Sequence, residues 1–151
     1  MKKLIIPGLL IVAAAAYFLG KSTAPESPPQ GRAEVRGAAR TDDDIFRKAF
    51  ESRRSGVQVE GAGIVEKVLK DDLDGSRHQR FIVRLATGQT ILIAHNIDLA
   101  PRVASIANGD DVTFAGVYEW NRNGGTVHWT HHDPKGTHPG GWITHRGSTY
   151  R

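Results

Sequence analysis

Residues 78–96 read HQRFIVRLATGQTILIAHN, two runs of alternating side chains joined by a short turn that contains Thr87-Gly88. In the first run Phe81, Val83 and Leu85 share one face, and the second run covers Thr90–Asn96. A period of two is typical of strands that place one face on a core. This stretch therefore predicts an antiparallel β-hairpin within a larger sheet.

The same period predicts three further strands. A long first strand runs from Val57 to Leu69, and its glycines at 61 and 63 favour a bend or a bulge. A fourth strand covers 112–120, with Phe114 and Tyr118 facing the core. After the loop 121–125, a fifth strand carries Val127 and Trp129, also facing the core. We therefore predict a mainly β fold, a small five-stranded antiparallel barrel of OB-like type. A β-sandwich or roll is the alternative.

Three segments precede the barrel. Residues 1–21 have a basic start and an uncharged stretch from Leu4 to Gly20, which predicts a signal anchor or a signal peptide. Residues 22–40 are rich in Pro, Ser and Gly and predict a disordered linker. Residues 41–55 combine an acidic start with helical spacing of apolar side chains and predict a short amphipathic helix. The barrel domain then covers 56–151.

The first segment also predicts a location. Lys2 and Lys3 precede the apolar stretch and favour a cytoplasmic N-terminus, with the domain anchored to the inner membrane and facing the periplasm or the outside. Secretion after cleavage is the alternative. We favour the uncleaved anchor, because Pro25 directly follows the best cleavage candidate at Ser22-Thr23-Ala24.

Composition excludes several kinds of site. The chain has no cysteine, so disulfides, thiol nucleophiles and cysteine-ligated metals are excluded. Its net charge of +4 lies entirely in residues 1–55, and residues 56–151 carry ten basic and ten acidic side chains. We therefore expect no nucleic-acid partner for the barrel. The expected partners are the membrane, through the N-terminal helix, and an envelope protein or a small ligand.

Five of the seven histidines lie within 18 residues, which predicts a site. Imidazole suits zinc, copper or nickel, and the candidate metal ligands are His128, His132, His138 and His145. Strand alternation predicts that His128 and His132 share a face opposite to His131. Four residues along a strand place His128 and His132 too far apart to share one metal ion, so both can be ligands only if the strand has ended between them.

Two functional hypotheses remain open. The first is a membrane-tethered binding module with a histidine- and tryptophan-rich ligand face, formed by His95, Asn96, Arg80, Trp129 and His128. The second is a metal-dependent hydrolase, of phosphodiesterase or nuclease type, in which Glu119, Asp98 or Asp133 acts as general base. Whether the protein is an enzyme is therefore undecided at this point. We favour the binding module, because hydrolysis needs three ligands that converge on one point.

Several peptides carry a resemblance to a known family. They are HQRFIV (78–83), IAHNIDLAPR (93–102), YEWN (118–121), HWTHHDP (128–134) and GWI (141–143). They resemble a small bacterial family, domain of unknown function 3465, and the resemblance as a whole extends over about residues 56–150. The resemblance implies a short secreted or membrane-anchored bacterial protein of one domain. It implies no activity, and no catalytic residue transfers from it.

Overall fold

The computed structural model describes residues 43–151, so the predicted membrane segment 1–21 and the predicted linker 22–40 lie outside the described residues. Residues 43–151 contain no helix that could span a lipid bilayer.

The short N-terminal helix, α1 (residues 43–51), packs on the barrel through its apolar stripe, as expected. Phe46 is fully buried, and its ring meets the rings of Phe114 and Tyr118 edge-on, with centroids 6.0 and 5.9 Å away. Gly61 makes this contact possible, because a Cβ at that position would lie 2.8 Å from the Phe46 ring. The helix therefore extends the apolar core of the barrel.

Seven strands follow the helix. They are β1 (Val57–Val68), β2 (His78–Leu85), β3 (Thr90–Asn96), β4 (Asp111–Glu119), β5 (Thr126–His128), β6 (Trp142–His145) and β7 (Ser148–Tyr150). The first five form the barrel. Its core is built from the inward side chains of all five strands together with α1.

The barrel closes as an OB-type barrel, in agreement with the sequence prediction. Strand β1 pairs with β2 through its C-terminal half and with β4 through its N-terminal half, and its register shifts between Val65 and Lys67. At the other side β3 pairs with β5 at Leu92–Thr126 and Ile93–Val127. This last pairing is parallel and was not expected; the other barrel pairings between the described strands are antiparallel.

Strands β6 and β7 were not predicted. Strand β5 is only three residues long and covers only the end of β4, so the first half of β4 is free to pair with β6. Gly141 lets β6 approach, because a Cβ there would collide with the carbonyl oxygens of Trp129 and Ala115. The hairpin β6–β7 thus extends the sheet beyond the barrel.

One expectation about the core was wrong. Phe114, Tyr118 and Val127 are buried as predicted, whereas Trp129 is only half-buried and lies outside the core. The reason is that β5 ends at His128 and Trp129 has a φ of 56°, a left-handed conformation that stops strand alternation. Its indole leaves the barrel interior and joins the histidines beyond β5.

Candidate ligand-binding face

The outward side chains of three neighbouring strands form one surface, which we call the β2–β3–β5 face. It consists of His78, Arg80 and Ile82 on β2, Leu92, Ala94 and Asn96 on β3, and Thr126 and His128 on β5. All of these are half-buried, while their chain neighbours inside β2 and β3 point into the core. On this face Ile82 lies opposite Leu92, and Arg80 lies opposite Ala94.

A cleft opens at one end of the β2–β3–β5 face. Its volume is about 240 Å³, and its floor is formed by the facing side chains of Ile82 and Leu92. Leu69, after β1, borders one side, and Asn121 and Asn123, in the loop after β4, border the other. No charged side chain is among the residues that line it.

The loop between β4 and β5 forms a rigid wall of this cleft. The amide oxygen of Asn121 accepts hydrogen bonds from the backbone N–H groups of Asn123 (2.8 Å) and Gly125 (3.2 Å). The side chain of Gln89 donates to the carbonyl oxygen of Gly124 (2.9 Å) and so ties the loop to the β2–β3 turn. Gly125 has a φ of 104°, and a Cβ there would overlap the Tyr118 ring.

Two predicted ligand residues on this face have structural partners. The guanidinium of Arg80 donates from Nε (3.2 Å) and Nη2 (3.0 Å) to the carbonyl oxygen of Lys70, which holds the β1–β2 loop. The amide oxygen of Asn96 accepts the backbone N–H of Asp98 (2.9 Å) and caps the turn after β3. Both side chains are half-buried, so they retain surface on the face.

The third predicted ligand residue, His95, is fully buried and points into the barrel. Its Nε2 lies 3.0 Å from the carbonyl oxygen of Pro101, so Nε2–H donates there and Nδ1 accepts from the hydroxyl of Thr130 (2.8 Å). Burial lowers the pKa of His95 and favours this neutral form. With both nitrogens bonded, His95 holds the β3–β4 connection to the segment after β5.

Trp129 is surrounded by three histidines. The centroid of its indole lies 6.1 Å from that of His128, 5.4 Å from His131 and 3.7 Å from His138. These contacts define what we call the Trp129 cluster: Trp129 with His128, His131 and His138. The cluster adjoins the β2–β3–β5 face, because His128 belongs to both.

His128 has a carboxylate beside it. Its Nε2 lies 3.6 Å from Oε1 of Glu119, one of the predicted general bases, on the neighbouring strand β4. Burial lowers the pKa of His128, and the charges of His78 and His138 act in the same direction, while Glu119 opposes them. These effects favour a neutral His128 near pH 7, with a lone pair on one ring nitrogen.

His138 is held by a loop that Asp133 organises. The carboxylate of Asp133 accepts the backbone N–H groups of Lys135, Thr137 and His138 as well as the Thr137 hydroxyl. These bonds, led by that of Lys135, lower the pKa of Asp133 well below its usual range. Asp133 therefore orders the loop and stays ionised near neutral pH.

The other predicted metal ligands lie elsewhere. His145 is opposite Val112 on β4, whereas His128 is opposite Val117, so roughly 16 Å of strand separates them. His145 is also buried and bonded through Nε2 to Asp110 (2.9 Å). His132 is exposed and His131 is buried. The predicted face shared by His128 and His132 does not form, because β5 ends at His128, and it is His131 that lies with His128 against Trp129.

The described residues do not bring three ligands together. Among residues 43–151 there is no group of three or more His, Asp or Glu side chains arranged to hold a metal ion. Asp98, the remaining predicted general base, accepts two hydrogen bonds from Arg77, at Nε (2.6 Å) and at the backbone N–H (2.7 Å). It therefore braces the loop between β1 and β2.

Sequence reasoning missed His78 as a site residue. It opens β2 on the β2–β3–β5 face, opposite Asn96, and its charge acts on both His95 and His128. The alternation of β2 carried the signal, because His78 has the same parity as Arg80. Its distance in sequence from the other histidines concealed its proximity to them.

Comparison with known protein families agrees with the resemblance noted above. The family model described as "Protein of unknown function (DUF3465)" matches residues 33–151. The match begins before α1, so it includes the helix as well as all seven strands. Comparison with curated proteins gave no match.

Proposed function

The chain belongs to the DUF3465 family of proteins of unknown function, and we propose from its own geometry that it is a binding module. The ligand lies on the β2–β3–β5 face, with its main contact in the cleft floored by Ile82 and Leu92. The observation that carries this proposal is the cleft itself, an apolar floor bordered on one side by Leu69 and on the other by the hydrogen-bonded polar loop between β4 and β5. Pockets of this kind, mostly apolar with a few placed polar groups, are typical of small-molecule sites.

The chemistry of the lining selects an uncharged ligand. Apolar floor side chains favour a ligand with one apolar face, and the side-chain amide of Asn123 offers hydrogen bonds. The absence of charged lining residues disfavours phosphate groups. A sugar ring combines an apolar face with a polar edge, so we infer a neutral sugar unit as the ligand class.

Preorganisation supports binding in this cleft. The Asn121 bonds and the Gln89 bond hold the β4–β5 loop in place before a ligand arrives. A wall that is already ordered loses little conformational entropy on binding. At the far end of the face, His128 and Trp129 supply an aromatic and hydrogen-bonding edge for a ligand longer than one ring.

The proposed context is the cell envelope. The apolar segment 1–21 anchors the chain in the inner membrane and the linker 22–40 places the barrel on the outer side, where envelope glycans or proteins are the available partners. Membrane fractions washed with alkaline carbonate test the anchor: the full chain stays in the membrane, and release into the wash would contradict it.

We rank this proposal above metal-dependent hydrolysis. A hydrolytic centre holds its metal with three protein ligands and leaves one position open. His145 and His128 lie at opposite ends of β4, and two of the three predicted general bases, Asp98 and Asp133, are occupied in loop bonds. The cleft, by contrast, is already formed.

Saturation-transfer difference NMR on the full chain, with a panel of neutral mono- and disaccharides, tests the proposal. Ile82→Asp places a charge on the cleft floor, and Ile64→Asp is the matched control, because Ile64 is an exposed isoleucine on β1 outside the cleft. We expect transfer to at least one sugar that Ile82→Asp abolishes and Ile64→Asp preserves. Equal transfer in both variants, or none to the whole panel, would overturn the assignment.

A further inference from the structure

A second pocket lies on the outer surface of the barrel beside β1. Its volume is about 400 Å³, and it shares no lining residue with the cleft of Ile82 and Leu92. Small-molecule sites in proteins typically have volumes of about 300–1,000 Å³. Unlike the cleft, this pocket is lined by charged side chains of both signs, Arg84 and Asp111.

The two charged residues flank an apolar one in a single row across three strands. Ile64 on β1 pairs with Arg84 on β2 and with Asp111 on β4. Directly opposed residues in antiparallel strands place their side chains on the same face of the sheet. All three side chains are exposed, and Ile64 is 43% exposed although it is a large apolar residue. Since neighbouring strands are about 4.7–4.9 Å apart, the backbone positions of Arg84 and Asp111 are about 10 Å apart.

The floor of this pocket is formed before any ligand arrives. Gly63 and Ile64 are the two residues of β1 that pair on both sides, with β2 and with β4. A Cβ at position 63 would lie 2.5 Å from the carbonyl oxygen of Arg84, so glycine permits this close approach of the strands. The small side chains of Ala62 and Ala86 leave open space beside Ile64. A preformed floor of this kind loses little conformational entropy on binding.

Both charges are available to a ligand. The carboxylate of Asp111 has no hydrogen bond or ion pair with another side chain within residues 43–151. The Nε atom of Arg84 lies 3.7 Å from Oε2 of Glu66, which is longer than a hydrogen bond. Because exposed ion pairs of this kind contribute little free energy, a carboxylate on a ligand can take the place of Glu66.

We propose that this pocket binds a short peptide of about three residues with free ends. Its ammonium group contacts Asp111, its carboxylate contacts Arg84, and its central apolar side chain lies on Ile64. Charge complementarity selects this occupant, because a neutral sugar would leave both charges unmatched. An extended chain spans at most about 3.3–3.6 Å per residue, so three residues match a separation of about 10 Å. The site goes beyond the proposed sugar binding and does not depend on it.

A titration of the full chain with the tripeptide alanyl-leucyl-alanine, followed by backbone amide shifts in NMR spectra, tests the proposal. We expect saturable changes centred on Gly63 and Ile64. Acetylation of the peptide N-terminus or amidation of its C-terminus removes one terminal charge. Each modification weakens binding about two- to fivefold, as expected for the loss of an exposed ion pair.

Substitutions in the pocket give a matched test from the side of the protein. Arg84→Gln and Asp111→Asn each weaken binding of the unmodified tripeptide about two- to fivefold. The controls are Arg122→Gln and Asp74→Asn, which remove exposed charges outside the pocket and leave the affinity unchanged. Glu66→Gln strengthens binding, because it removes the carboxylate that competes for Arg84. A merely structural disturbance would not produce that increase.

Three results would overturn the proposal: equal affinity for the unmodified tripeptide and for one blocked at both ends, equal affinities of the pocket variants and their controls, or shifts centred on Leu92 and Asn123 of the cleft. Near-UV circular dichroism checks that every variant is folded. Sugar binding is measured in the same Arg84→Gln variant and is expected to be unchanged. Failure of the peptide site is thereby distinguished from failure of the proposed function.

Discussion

The Nδ1 atom of His95 lies 2.8 Å from the hydroxyl oxygen of Thr130, and both side chains are fully buried. This bond connects the end of β3 to the segment that leaves β5, at the point where the barrel gives way to the Trp129 cluster. Because Nε2 of His95 is bonded to Pro101, the ring has no spare donor with which to reach water. The bond therefore positions the chain that carries Trp129.

Thr130→Val keeps the shape of the side chain and removes the hydroxyl. The buried Nδ1 of His95 is then left without a donor, which costs about 1–3 kcal/mol in the free energy of unfolding. Urea denaturation measures this loss. Thr144→Val is the control: its hydroxyl contacts Thr149 in an exposed hairpin, so its effect stays within about 0.5 kcal/mol. Equal effects in the two variants would contradict the role of the His95 bond.

Stability decreases as the pH falls through the histidine range. Burial lowers the pKa values of His95 and His128 in the folded chain, while the unfolded chain has histidine pKa values of about 6.5. Below that value the unfolded state binds more protons than the folded state. The contribution of these two histidines to the free energy of unfolding is therefore complete above about pH 6.5 and decreases as the pH falls towards their folded pKa values. The midpoint of denaturant unfolding, measured at a series of pH values between about 7.5 and 5.5, reports this decrease in stability.

Carboxylates do not produce that decline. The pKa values of Asp98, Asp110 and Asp133 are lowered by their hydrogen bonds, so their contributions are lost only at more acidic pH, below about 4. His128→Gln reduces the slope in the histidine range, because one of its sources is removed. A midpoint that is constant or rises on acidification would contradict the burial of these imidazoles.

Gly125→Ala disrupts the wall of the cleft. Its φ of 104° disfavours any side chain, and the added Cβ would overlap the Tyr118 ring. We expect a fall in thermal midpoint and loss of ligand binding. Gly75→Ala is the matched control, because Gly75 also has a positive φ (66°) but open space around it. This substitution lowers the free energy of unfolding by only about 1–2 kcal/mol. A Gly125 variant that is as stable as the Gly75 variant would argue against the rigid loop.

Asp133→Ala opens the loop that carries His138. The variant removes the acceptor for the backbone N–H groups of Lys135, Thr137 and His138. Hydrogen exchange measured by mass spectrometry shows faster exchange over residues 134–140, while the barrel strands stay protected. Asp74→Ala, an exposed aspartate in another loop, leaves the exchange of 134–140 unchanged. Unchanged protection in the Asp133 variant would rule out its organising role.

Alternation alone predicted most of the barrel. Phe81, Val83 and Leu85 are buried as their spacing indicated, and the long β1 bends from one neighbour to the other near its glycines. The parallel pairing of β3 with β5 was not predictable from local patterns, because it depends on how the barrel closes. The left-handed Trp129 ended β5 early, and a single non-glycine residue in that conformation leaves no sequence signal.

The candidate site was predictable only in part. The histidine density around Trp129 identified the cluster, but proximity in sequence wrongly suggested proximity in space for His145, which β6 places at the other end of β4. His95 looked like a ligand from its position beside Asn96, yet strand parity directs it inwards. The cleft combines Leu69, Ile82 and Asn123, whose association depends on the fold.

Sugar binding in the cleft is tested most directly by a map of backbone amide shifts in the full chain as the best-binding neutral sugar of the panel is added. We expect the largest changes at Leu92, Asn123 and Gly125, the residues of the cleft floor and wall. Changes of that size centred on Ala62, Gly63 and Ile64, which line a different pocket beside β1, would contradict sugar binding in the cleft.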